Sequence, residues 1–149
     1  MKSETWRVIG LATGVIVLAG VAASMGLAHG CEQSGSGIIA GQITIDPKLA
    51  DRVHPNDVLF IIVRRPQGMP RPIAVKRVEA PTFPVQFQIS NEDVMVEGSE
   101  LRGMVEVLAR LDRDGQAGPP QVGDLEGRFH KNPTLVGAHD LQIVLDKEY

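Results

Sequence analysis

The 149-residue sequence has a single cysteine, one tryptophan, one tyrosine and four phenylalanines. A lone Cys31 excludes an intramolecular disulfide framework, a Cys-rich zinc site and the two-cysteine attachment motif of a c-type haem. Basic residues are also scarce: 15 Lys and Arg stand against 18 Asp and Glu, a formal net charge of −3. A nucleic-acid partner is not expected on that balance, because phosphate affinity rests on clustered cations. The chain has no G-x-S-x-G, and its four histidines, His29, His54, His130 and His139, form neither H-x-x-x-H nor H-E-x-x-H. Asp112, Asp114, Asp124 and Glu126 do not follow the spacing of an EF-hand and read as solvated turns. No enzyme activity, cofactor or metal is expected from such a sequence.

Charge is missing altogether from residues 8–28, VIGLATGVIVLAGVAASMGLA. Twenty-one residues at 1.5 Å each make a helix of about 31 Å, the thickness of a bilayer's hydrocarbon core. The expected layout is a cytoplasmic N-terminus at 1–7, a transmembrane helix or signal anchor at 8–30, a flexible linker at 31–37 and a domain at 38–149. Lys2 and Arg7 precede the run and by the positive-inside tendency keep the N-terminus in the cytoplasm. That assigns the chain to the bacterial inner membrane as a single-pass protein with its C-terminal domain in the periplasm. Gly10 and Gly14 form a G-x-x-x-G, a candidate helix-packing face. Two processing alternatives stay open: a cleaved secretory signal, and a lipoprotein signal with Cys31 as the lipidation site, for which Leu27-Ala28-His29-Gly30 is a partial match.

From residue 38 onward the pattern is that of strands. IIAGQITI (38–45) ends in alternation and is stopped by Asp46-Pro47; KLADRV (48–53) has room for at most two helical turns. DVLFIIVRR (57–65) is continuously apolar and β-branched, as expected of a strand buried on both faces in mid-sheet. Further strands are expected at 73–78, at 85–89, where Val85, Phe87 and Ile89 alternate with polar residues, at 101–112 and at 141–146. Residues 122–129 read as irregular. Six or seven short strands with turn signals every 8 to 12 residues predict an all-β, antiparallel β-sandwich whose core, with one cysteine, is held by apolar packing alone. Arg64, Arg65, Arg71, Lys76 and Arg77 fall in two neighbouring strands and their connection, a candidate docking patch for acidic protein or lipid headgroups.

From Gly41 on, the order of segments resembles the periplasmic C-terminal domain of the CcmI/CycH family of cytochrome c biogenesis proteins. The resemblance is carried by GQITIDPKLADRVHPNDVLFIIVR (41–64), MPRPIAVKRV (69–78), FPVQFQI (83–89), VEVLARLDRDGQAGPPQVGDLEG (105–127) and LQIVLD (141–146). It covers about 105 residues and implies an immunoglobulin-like sandwich outside the membrane with a non-catalytic role in c-type cytochrome assembly. Members of that family usually carry two membrane helices and a helical repeat region that grips the apocytochrome, whereas this chain has one hydrophobic segment and a short linker. The expected partners are therefore the lipid bilayer and a membrane protein complex. That complex is either the cytochrome maturation machinery or, alternatively, a respiratory or photosynthetic electron-transfer assembly capped by this domain as an accessory subunit.

Overall fold

The computed structural model describes residues 37–67 and 71–149. Residues 8–30, the expected membrane segment with Gly10 and Gly14, and Cys31 lie outside the described residues, among which no helix is long and apolar enough to cross a membrane. Among the described residues nine strands follow in chain order: β1 (Ile39–Ile45), β2 (Val58–Arg64), β3 (Pro72–Glu79), β4 (Val85–Ile89), β5 (Met104–Asp112), β6 (Leu125–Arg128), β7 (Thr134–Leu135), β8 (Leu141–Leu145) and β9 (Lys147–Glu148). They form two sheets, β4-β1-β8 and β3-β2-β5-β6-β9, with β7 paired to β5 beside β6.

Local chemistry fixes the turns. The Asp46 carboxylate accepts the Lys48 N–H at 2.9 Å, and Pro47 opens a 3₁₀ turn (Pro47–Arg52) that ends β1. Ser90 and Asp93 exchange side-chain and backbone hydrogen bonds as a capping box around a second short 3₁₀ turn (Asn91–Asp93) after β4. Gly115, with φ of 69°, turns the chain after β5, and its N–H donates to Asp112 at 2.8 Å.

Strand alternation then sorts the side chains. Ile39 and Ile43 of β1, Val85, Phe87 and Ile89 of β4, and Leu141, Ile143 and Leu145 of β8 line one wall of the core. Leu59, Ile61 and Val63 of β2 with Val105, Val107, Ala109 and Leu111 of β5 line the other. A core of Ile, Val and Leu around Phe87 suffices without covalent staples. β2 lies between β3 and β5, as its unbroken apolarity predicts, and Phe60 is buried on the face away from this core.

Two expectations are corrected. The sandwich is not wholly antiparallel: β8 runs parallel to β1, Gly41 pairing with Leu141 through Ile45 with Leu145, because β8 reaches β1 from the opposite sheet rather than through a hairpin. And residues 122–129 are not irregular, since Leu125–Arg128 form β6, paired antiparallel with Leu108 to Leu111 of β5.

Asn132 completes the flank of β5 between β6 and β7. Its Oδ1 accepts the Val107 N–H at 2.9 Å and its Nδ2 donates to the Val107 carbonyl at 2.8 Å, so one side-chain amide stands in for a strand residue. Asn132→Ala leaves the N–H of fully buried Val107 without this partner and should cost about 1–3 kcal/mol, read as a lower midpoint in urea unfolding with an unchanged slope.

A candidate binding groove on the larger sheet

The face of the larger sheet turned away from the core is patterned in rows, because paired residues of antiparallel strands share a face. One row runs Arg77, Phe60, Arg110, Glu126 and Lys147 across β3, β2, β5, β6 and β9. The next runs Val75, Ile62, Leu108 and Arg128, and Arg64 faces Glu106 beyond it. The result is a cavity of about 620 Å³ with an apolar floor of Phe60, Ile62, Val75 and Leu108. Arg64, Arg110, Glu126 and Arg128 are its charged lining, and Tyr149 closes one end.

Residues 117–120, Ala-Gly-Pro-Pro, form a strap along the groove. Three carboxylates fasten the loop that carries it. Asp112 accepts the N–H groups of Gly115 and Gln116 at 2.8 and 3.3 Å. Asp114 accepts the Gln116 N–H at 2.8 Å and the Gln121 side-chain amide at 2.7 Å, and Asp124 accepts the N–H groups of Gln121 at 2.8 Å and Arg113 at 3.2 Å. Burial pushes the Asp112 carboxyl up from its ordinary range, and the adjoining Asp114 and Asp124 carboxylates add to the effect. The N–H of Gln116, together with the Asp112 contact, holds Asp114 down.

The charges of the groove are unequally satisfied. Arg64 Nε donates to Glu106 at 2.8 Å, and Arg128 Nε donates to Glu126 at 2.9 Å, a bond that holds Arg128 above its ordinary value. Tyr149 donates its hydroxyl to the other Glu126 oxygen at 3.0 Å and carries Lys147 over its ring, 3.7 Å from the centroid. Arg110 is 6% exposed. Its Nη2 stands 3.5 Å from Asp112, and its Nε is buried with no hydrogen-bond partner among the described residues.

The five basic residues singled out by their closeness in sequence are not gathered on one face. Arg64 lines the groove, whereas Arg65 turns to the carbonyls of Glu100 and Arg102. Lys76 Nζ is 3.4 Å from Asp93, on the opposite face of β3 from Arg77, which pairs with Glu79; Arg71 is exposed just ahead of β3. Sequence reasoning passed over Arg110 and Arg128 and read Glu126 as part of a solvated turn, whereas Glu126 is buried within β6. Glu106, Leu108, Arg110 and Asp112, alternate positions facing away from the core on β5, were the available signal.

Several known proteins are similar to the chain. An uncharacterized protein of Aquifex aeolicus is 28% identical over 111 residues, 74% of this chain and 71% of that protein. The cytochrome c-type biogenesis protein CycH of Pseudomonas aeruginosa is 32% identical over 78 residues, 51% of this chain. That alignment takes in only 19% of the P. aeruginosa protein, so the chain matches about a fifth of its length. Among solved structures, an alternative pilotin from the type II secretion system of Vibrio cholerae superposes with a TM-score of 0.43 at 14% identity, covering 72% of this chain and 94% of the other. The family model of the cytochrome c-type biogenesis protein H Ig-like domain matches residues 39–146, from the first residue of β1 to just past β8, and the chain belongs to that family.

Proposed function

We propose that the sandwich is a non-catalytic interaction domain of the c-type cytochrome biogenesis apparatus, tethered at the periplasmic face of the inner membrane by residues 8–28. The family match over residues 39–146, every strand but the two-residue β9, carries the cytochrome assignment. The uncharged run of 21 residues, preceded by Lys2 and Arg7, supports the tether. In this reading the sandwich works by what it touches, and the groove on the larger sheet is the surface with the means to grip a partner. Its apolar floor supplies contact area, and its arginines supply direction and register.

The test is genetic and spectroscopic. Replacing the chromosomal copy by one that stops after residue 37 should remove most covalent haem staining of membrane c-type cytochromes and spare the b-type haem signal. Undiminished staining would overturn the assignment.

A further inference from the structure

Arg110 holds a charge that the fold leaves incompletely answered. Its guanidinium offers five N–H donors, yet among the described residues Nε is buried without a partner and the ion pair with Asp112 is 3.5 Å long. The carboxylates around it, Asp112 on the same strand, Asp114 in the loop beyond and Glu126 paired across from it, are engaged elsewhere, Asp114 with the Gln116 N–H and the Gln121 side-chain amide. Asp112 is drawn to the N–H groups of Gly115 and Gln116, and Glu126 is shared between Arg128 and Tyr149. A buried cation in this state calls for an acceptor from outside, and it lines a cavity of about 620 Å³, a volume in the range of ligand sites.

The shape and floor of that cavity say what brings the acceptor. From Val75 on β3 to Arg128 on β6 the groove crosses three strand spacings, about 14 Å, the length of roughly four extended residues. Ile62 and Leu108 are paired at the centre of its floor, and Arg110 is the residue on β5 two places beyond Leu108. Pro119 and Pro120 in the strap limit the freedom lost when a ligand is clasped.

We propose that the groove recognises an extended segment of a partner protein in which an Asp or Glu side chain pairs with Arg110 while an apolar side chain two residues away, on the same face of the segment, lies on Ile62 and Leu108. The inference rests on reading the sandwich as an interaction domain and names the chemistry of its partner. Arg110 reaches the incoming carboxylate by rotating its terminal bonds, giving up only the long contact to Asp112. Arg64 and Arg128, held by Glu106 and Glu126, set the direction of the segment.

Fluorescence polarisation on the full chain in detergent tests this with two labelled hexapeptides, acetylated and amidated, one with Leu and Glu two positions apart on a Ser background and the other with Gln in place of Glu. The Glu peptide should bind at least tenfold more tightly and shift the Arg110 Nε–H resonance, which is assigned by its disappearance in Arg110→Met. Arg110→Met and Ile62→Glu should each weaken the Glu peptide at least tenfold. Ile62 is only half-buried, so Ile62→Glu keeps the test intact if Arg110→Met does not fold. Equal binding of the two peptides, binding of neither at millimolar concentration, or full binding by Ile62→Glu would overturn the proposal. Octanoate that competes at the peptide's own concentration would overturn it in favour of a small carboxylate. Haem staining of the truncated strain does not depend on these outcomes, so the two readings fail separately.

Discussion

Gly127→Ala is expected to destabilise the sandwich by about 3 kcal/mol, at the upper end of what overpacking costs, and to do so without touching the groove's charged residues. The added Cβ would stand 2.1 Å from the Val144 carbonyl oxygen and 2.6 Å from its carbon, and both are backbone atoms that no rotamer change can move aside. Gly127 lies on β6 of the larger sheet and Val144 on β8 of the smaller one. Just beyond, the Asp146 N–H donates to the Glu126 carbonyl at 3.2 Å, and the chain passes from β8 into β9. The close approach therefore closes one side of the sandwich, and pushing it open loosens both sheets. Thermal unfolding followed by circular dichroism should show the midpoint falling by more than ten degrees, a size in keeping with about 4–8 °C per kcal/mol in a domain of roughly this length. A midpoint within two degrees of the parent would mean that β6 and β8 do not meet as described.

The second large effect separates two neighbours on one strand. Ile61 is fully buried between the sheets, and Ile62 points the other way onto the groove floor. Ile61→Ala should cost about 2–5 kcal/mol, the transfer of the lost carbons plus the cavity left in a packed interior. Ile62→Ala removes the same atoms from a half-buried site and should cost about 1 kcal/mol, near the average for point substitutions. Urea midpoints measured on the two variants check the difference directly. Equal losses would place both isoleucines in the same environment, contrary to the alternation of β2.

How far these features are legible in the sequence depends on what holds each strand. Val85, Phe87 and Ile89 alternate with exposed Gln86 and Gln88, and β4 falls at the expected residues because its pattern is set by one buried and one wet face. β2 is equally legible, its apolar run matching its place in mid-sheet. β6 is not, because Leu125-Glu126-Gly127-Arg128 presents one aliphatic residue, one glycine and two charges. Glu126 is buried by its bonds to Arg128 and Tyr149, and Gly127 is required by Val144, neither of which shows as hydrophobic periodicity. Strands of two residues, β7 and β9, fall below any pattern.

The groove follows the same logic. Nearness in sequence suggested Arg64, Arg65, Arg71, Lys76 and Arg77, but alternation divides Lys76 from Arg77, and local carbonyls and carboxylates occupy most of the others. Strand pairing instead brings Arg64 to the same face as Arg110 and Arg128, residues drawn from three strands. Which strands become neighbours is a property of the topology, and the direction of β8 beside β1 is another. Neither is written in the spacing of side chains.

The parallel pairing of β1 with β8 also orders events in time. β1 is among the first parts of the sandwich to be made, yet the strand that flanks it opposite β4 lies a hundred positions later, Gly41 meeting Leu141. The smaller sheet cannot gain its third strand until nearly the whole domain has emerged, and loop closure over such a distance must be met before the contacts repay it. The strands of the larger sheet that carry the groove, β3, β2, β5 and β6, pair with one another and are all made before β8, so the smaller sheet is completed after them.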